Sequence, residues 1–111
     1  MIPHSKLLGQ YDFVDRFFEG LARVGKDGKQ FHVRLDGTPA YEERYDCVSP
    51  FFSVEGLAWA REAGQWFHIR RDGKPAYPER YDSVAPFFQG RALVKKGGTY
   101  FRITPDGKPV E

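Results

Sequence analysis

Hydrophobic and polar residues alternate along three short stretches of the chain, which lie roughly 35 positions apart. Apolar side chains fill every second position, at Phe31, Val33 and Leu35, at Phe67 and Ile69, and at Phe101 and Ile103. A period of two places alternate side chains on opposite faces of a β-strand. The pattern therefore predicts three strands, each with one face towards a core.

A second strand is predicted immediately before each of these three. Small residues recur in it at Ala22, Ala58 and Ala92, and a glycine turn separates it from the following strand, as in Asp27-Gly28. Glycine readily adopts the positive φ that tight hairpin turns require. Each pair of strands is thus predicted to form a β-hairpin whose small residues allow two layers to approach closely.

These hairpins belong to a sequence repeat. Three copies align at residues 11–44, 45–80 and 81–111, after an N-terminal arm at 1–10. The equivalent residues Phe31, Phe67 and Phe101 are 36 and 34 positions apart, because the middle copy carries the insertion Ser53-Val54. Since a lone hairpin is marginally stable in water, we expect neighbouring copies to cover one another within one domain.

A proline-containing segment connects one hairpin to the next and is predicted to be a short strand or an extended arm. It leads into Tyr-Asp in each copy, and we expect Asp12, Asp46 and Asp82 to accept backbone N–H groups at turns. The fold class predicted is all-β, with three tandem hairpin repeats, connecting arms and little helix. The pattern leaves open whether the copies form an open array or close around a pseudo-threefold axis, and we favour the open array. In an open array, the N-terminal arm would cap an exposed edge by pairing with it, or that edge would form a homodimer.

The composition argues against a nucleic-acid-binding, a disulfide-rich or a membrane protein. The 111 residues carry 17 basic and 15 acidic side chains, and aromatic residues make up 16%. A net charge of +2 makes nucleic acid an unfavoured partner. With one cysteine and no long apolar run, the sequence predicts no disulfide framework, signal peptide or membrane segment, and a cytoplasmic location.

The repeat resembles the bacterial WG-repeat family. The similarity rests on Glu19-Gly20-Leu21-Ala22, on Glu55-Gly56-Leu57-Ala58, and on Gly64-Gln65-Trp66 followed by Asp72-Gly73-Lys74. Trp66 precedes Phe67 instead of the family's glycine, which marks a divergent member. The resemblance implies a β-hairpin array used for interaction, with no catalytic residues. The stretch from Gly64 to Lys74 is also similar to choline-binding repeats, which are shorter.

The sequence predicts no catalytic, metal or cofactor site. It contains no phosphate-binding glycine loop, nucleophile elbow or metal-ligand motif. His32 and His68 recur at equivalent positions, but Arg102 replaces them in the third copy, and a cation is a poor substitute for a metal ligand. We therefore expect solvated histidines on the outward faces of the strands, and a protein that is not an enzyme.

The polar faces of the hairpins define the candidate binding site. Arg and aromatic side chains are predicted to share this outward stripe, and the residues selected are Trp59, Trp66, His68, Arg70, Arg34, Tyr100 and Arg102. Such residues are concentrated at protein interfaces, which predicts a protein partner. An alternative is binding of cell-wall glycan or a choline-type ligand through repeated aromatic slots. A structural alternative is that Trp59 and Trp66 cover the second face of a stacked sheet.

Overall fold

The computed structural model describes residues 4–51 and 55–110, and it gives only the backbone of His4 and Ser5. The elements are a short helix and ten strands: α1 (His4–Leu8), β1 (Phe13–Phe18), β2 (Leu21–Lys26), β3 (Lys29–Arg34), β4 (Cys47–Val48), β5 (Ala58–Glu62), β6 (Gln65–Ile69), β7 (Ser83–Val84), β8 (Ala92–Lys96), β9 (Thr99–Ile103) and β10 (Pro109–Val110). The inserted residues Ser53 and Val54 lie outside the described residues. The predicted all-β class is confirmed.

Each copy of the repeat supplies one antiparallel sheet. The first sheet has the order β1-β2-β3, the second β4-β5-β6 and the third β10-β9-β8-β7. The hairpins share one register, because Val24, Ala60 and Val94 pair with the equivalent phenylalanines of the following strand. The connecting segment starts as the short strand β10 along the hairpin edge in the third copy, and as a single β-bridge at Pro39 or Pro75 in the first two copies.

Two residues with positive φ form each hairpin turn. Ala63 and Gly64 have φ values of 54° and 79°, and Gly97 and Gly98 have values of 58° and 83°. Positive φ at both central residues defines the type I′ turn, whose twist matches that of the flanking strands. The predicted glycine turns are confirmed.

The aspartate after each opening tyrosine holds the hairpin turn of its own copy. The carboxylates of Asp12, Asp46 and Asp82 accept the backbone N–H of the first turn residue, at 3.0, 3.2 and 2.9 Å. The predicted role of these aspartates is therefore confirmed. The link ties the start of each copy to the tip of its hairpin, about 15 residues away.

Consecutive sheets are joined by backbone hydrogen bonds. Gln30 exchanges two with Tyr45, at 2.8 and 3.0 Å, and Trp66 exchanges two with Tyr81, both at 2.8 Å. The three sheets thus stand in a row, with overall dimensions of 47 × 26 × 18 Å. No closed barrel forms among the described residues, so the arrangement is the open array.

The core runs through the row along the faces predicted to be buried, except at Leu35, which follows the end of β3 and is 43% exposed. Phe67 and Ala60 are fully buried, and the ring of Tyr45, from the start of the same copy, meets Phe67 edge-on at 5.6 Å. Gly73 has a φ of 80°, and a Cβ there would lie 2.3 Å from the ring of Tyr41 in the preceding copy. The Asp-Gly turn therefore needs glycine both for its backbone conformation and for contact between copies.

The N-terminal arm forms α1 instead of pairing as an edge strand. Leu7 of this helix is fully buried, and its carbonyl accepts the backbone N–H of Tyr11 at 3.0 Å. In the next two copies, Tyr45 and Tyr81 donate the equivalent N–H to the preceding sheet. Among the described residues, no helix is long and apolar enough to cross a membrane.

Candidate functional site

The two strand histidines are buried, so the prediction that they are solvated is wrong. His32 and His68 are both 0% exposed. They do lie on the face opposite the predicted core positions, but the residues that follow the short first strand of the next copy, at 49–51 and 85–87, cover that face. His68 therefore cannot belong to an accessible binding stripe in this conformation.

Both ring nitrogens of His68 have partners. Nε2 lies 2.8 Å from the carbonyl oxygen of Ala85 in the next copy, and Nδ1 lies 2.6 Å from the hydroxyl of Tyr77. The ring of Phe87 packs at 4.4 Å between centroids. His32 repeats this arrangement with Ser49, Tyr41 and Phe51. The histidine thus joins its own return segment to the copy that follows.

The partners fix the tautomer of each histidine. A carbonyl oxygen can only accept, so Nε2 carries the proton and Nδ1 accepts a hydrogen bond from the tyrosine hydroxyl. Burial lowers the pKa of both His32 and His68 to about 4. Burial likewise raises the pKa of the Tyr41 and Tyr77 hydroxyls. The histidine–tyrosine pairs are therefore neutral at pH 7 and satisfy the polar groups of the interface between copies.

Trp59 and Trp66 form a half-buried pair on the outward face of the second sheet. Their rings meet edge-on at 5.1 Å, and the Arg61 guanidinium lies 5.8 Å from the Trp66 ring. In the first sheet Arg23 and Gln30 stand at the two tryptophan positions, and they bind the backbone of Val48 at 3.2 and 3.0 Å. The tryptophans thus replace polar side chains that hold the next copy in the first sheet.

Arg34 and Arg70 are exposed, but each is attached to its own return segment. Arg34 donates to the carbonyl of Pro39 at 2.8 Å, and Arg70 donates to that of Ala76 at 3.4 Å. Arg34 is the last residue of β3, and Arg70 directly follows β6. Each guanidinium is thus oriented along its own return segment.

The third sheet presents the most exposed part of the stripe. Tyr100 is 61% exposed and Leu93 is 40% exposed, and Arg102 lies beside them with its side chain in solvent. By register, Leu93 and Arg102 occupy the places of Trp59 and His68 in the second sheet. Within residues 4–51 and 55–110, no segment covers this face as Ala85 and Phe87 cover His68.

Sequence reasoning missed the tyrosine partners of the histidines and also Arg61. A signal was present, because Tyr41 follows His32 by nine residues and Tyr77 follows His68 by nine. Arg102 has no tyrosine at that spacing, so the histidine and the tyrosine vary together among the copies. No group of three or more His, Cys, Asp or Glu residues that could hold a metal ion occurs in the described part of the chain.

Two stretches of the chain match a family model. The WG containing repeat model covers residues 9–29, which include β1 and β2, and residues 69–100, which include β7 and β8. Neither the curated proteins nor the solved structures contain a significant match to the chain. Phe67 is fully buried where the family's glycine is expected, so the departure from the family pattern enlarges the core. The two matches support a WG-repeat family member, in which phenylalanine stands at the place of the glycine of the Trp-Gly pair.

Proposed function

We propose that this chain is a non-catalytic repeat module that binds another protein through an aromatic surface on its second and third sheets. The aromatic surface consists of Trp59, Arg61 and Trp66, followed by Leu93, Tyr100 and Arg102. Trp, Tyr and Arg dominate the binding free energy of protein interfaces, because they bury a large area and also donate hydrogen bonds. We leave out His68, which is buried, and Arg34 and Arg70, whose guanidinium groups are already bonded to their own return segments.

The observation that carries the proposal is the half-buried Trp59–Trp66 pair. The repeat does not need tryptophan there, since Arg23 and Gln30 fill the same positions in the first sheet. Two large rings held edge-on in one geometry also lose little side-chain entropy on binding. This combination favours a recognition role over a purely structural one.

Glycan or choline binding through repeated aromatic slots gains no support from the geometry. The tryptophan pair occurs in the second sheet, whereas its equivalents are Arg23 and Gln30 in the first and Leu93 and Tyr100 in the third. Repeated slots would require the aromatic pair in each copy. The protein-binding proposal is therefore preferred.

The test replaces the tryptophan pair with residues that the repeat already tolerates. The double variant Trp59→Arg/Trp66→Gln gives the second sheet the side chains of the first sheet, so it should fold with a melting temperature within a few degrees of the wild type. Loss of two hot-spot rings should weaken capture of the protein partner from host extract by about 30-fold or more. Leu35→Ala, which shortens an exposed apolar side chain elsewhere, is the matched control and should capture normally. Unchanged capture by the double variant, or a fall of more than about 10 °C in its melting temperature, would refute the proposal.

A further inference from the structure

The row of sheets has two junctions, the first between the first and second sheets and the second between the second and third sheets. In the first junction, Arg23 donates to the carbonyl of Val48 at 3.2 Å, and the side-chain oxygen of Gln30 accepts the N–H of Val48 at 3.0 Å. Trp59 and Trp66 occupy the places of Arg23 and Gln30 in the second junction. An indole ring has a donor but no acceptor, so Trp66 cannot replace the amide oxygen of Gln30.

Val84 is the equivalent of Val48 in the second junction, and its backbone has the same orientation. It pairs with Val94, and the next residue, Ala85, donates its N–H to the hairpin at 2.8 Å, as Ser49 does after Val48 at 3.0 Å. This alternation turns the N–H and C=O of Val84 away from their own hairpin. Within residues 4–51 and 55–110, neither group has a hydrogen-bond partner. The second junction therefore leaves one backbone donor and one backbone acceptor open at a half-buried residue.

The opening at Val84 is one residue long, because the backbone groups on both sides of it are already bonded. Tyr81 exchanges two backbone hydrogen bonds with Trp66, and the carbonyl oxygen of Ala85 lies 2.8 Å from Nε2 of His68. A strand that adds to a sheet edge bonds to every second residue, so it needs a longer row of open groups. A single side chain matches the size of this opening better than a strand does.

The first junction shows which chemistry fills such an opening. There Gln30 supplies an acceptor to the N–H of Val48, and Arg23 supplies a donor to its C=O. A side-chain carboxamide carries both functions on two adjacent atoms, an oxygen that accepts and an NH₂ group that donates. An ionised carboxylate has no donor, and an ammonium or guanidinium group has no acceptor. A glutamine side chain can therefore satisfy both open groups of Val84, whereas a charged side chain satisfies one of them.

We infer that Val84, beside the Trp59–Trp66 pair, binds a glutamine side chain of the partner protein. The carboxamide oxygen accepts the N–H of Val84, the NH₂ group donates to its C=O, and the methylene groups of the glutamine pack against the tryptophan rings. The partner thus supplies the side chain that the first junction contains as Gln30. This inference rests on the proposed function and names the chemical group that the aromatic surface recognises.

Amide hydrogen exchange tests whether Val84 is open, and it needs no ligand. The N–H of Val48, which is bonded to Gln30, should exchange at least about 50-fold more slowly than its intrinsic rate, and that of Val84 within about 10-fold of its own. Trp66→Gln restores the side chain of the first junction and should protect Val84, whereas the matched variant Trp66→Leu should not. Protection of Val84 in the wild type as strong as that of Val48 would overturn the inference.

Titration of the isotope-labelled protein with three blocked tripeptides tests the ligand. The peptides carry Gln, Glu or Leu between two glycines, and amide chemical shifts report where each one binds. The Gln peptide should shift the amide of Val84 and bind about five-fold more tightly than the other two, because only its side chain makes both hydrogen bonds. This shift should disappear in Trp66→Gln, whose own amide fills the opening, and persist in Trp66→Leu. No shift of Val84 with the Gln peptide, or an equal response to all three peptides, would overturn the inference.

The outcome is separable from that of the proposed function. If the Gln peptide binds at Val84 but the variant Trp59→Arg/Trp66→Gln still captures its partner, the proposed role of the tryptophans fails and the glutamine site stands. If capture depends on the tryptophans but the Gln peptide does not shift Val84, only the inference about glutamine fails.

Discussion

The second and third sheets have the same register and turn, yet their outward faces differ. His68 in the second sheet is completely buried beneath Ala85 and Phe87, whereas Arg102, at the same position of the third sheet, is exposed. The difference arises because residues 85–87 of the next copy cover one face and no described residue covers the other in this way. Whether an outward residue of this repeat is buried therefore depends on the adjacent copy and not on its own hairpin.

Lowering the pH should have the largest effect on the free energy of unfolding, because the two covered faces contain titratable histidines and the uncovered face does not. The pKa of His32 and His68 falls from 6.5 to about 4 on folding. The unfolded chain then binds protons that the folded chain excludes, so stability is intact above pH 6.5 and is lost as the pH falls towards 4. Each histidine should reduce the free energy of unfolding by about 3 kcal/mol across this window.

Urea unfolding at several pH values between 7 and 4 measures this loss. The matched control is the single variant His68→Leu, which keeps one titrating histidine, so the pH dependence of its free energy of unfolding should fall by about half in the same range. An equally steep pH dependence in that variant would show that other groups are responsible.

The second largest difference is expected when the core phenylalanine of each sheet is replaced by alanine. Phe67 is fully buried and lies beneath the Arg80 guanidinium, 3.5 Å from its ring centroid, whereas Phe101 is only half-buried. Phe67→Ala should lower the free energy of unfolding by about 3–5 kcal/mol, and Phe101→Ala by about 1–2 kcal/mol. Urea titration of both variants checks the difference, and equal losses would mean that the third sheet is as well covered as the second.

Replacing the equivalent outward residues His68 and Arg102 should give a smaller difference in stability between the second and third sheets. His68→Leu leaves the hydroxyl of Tyr77 and the carbonyl of Ala85 buried without partners, which should lower the free energy of unfolding by about 2–4 kcal/mol. Arg102→Leu should change it by less than about 0.5 kcal/mol. Adding Tyr77→Phe to His68→Leu removes one unpaired group, so the double variant should be less destabilised than the sum of the single variants. Additive losses in urea titration would contradict the assigned hydrogen-bond network.

The sequence predicted what depends on neighbouring residues within one copy. The alternation around Phe67, the glycine turns and the capping by Asp46 are local, and all are present. The burial of His68 was not predictable from that alternation, because a period of two separates the faces of a strand without saying what covers each face. Only the paired recurrence of histidine and tyrosine nine residues apart pointed to it.

The sequence predicted which residue types lie on the outward faces, but it did not predict which of them form contacts within the fold. Trp59, Trp66, Tyr100 and Arg102 do lie on outward faces, as their positions in the strands indicated. Arg34 and Arg70 are held by carbonyls of their own return segments, a contact that requires the path of those segments. Arg61 was overlooked because its partner Trp66 lies across the hairpin, where only the register brings the two together.

Amide hydrogen exchange at Trp66 and Tyr100 tests the central claim most directly, because the following copy pairs with the backbone of Trp66 and no described residue pairs in this way with that of Tyr100. The Trp66 N–H donates to the carbonyl of Tyr81 at 2.8 Å, whereas the Tyr100 N–H has no partner among the described residues. Trp66 should exchange at least about 100-fold more slowly than its intrinsic rate, and Tyr100 within about 10-fold of its own. Equal protection of the two amides would contradict the account.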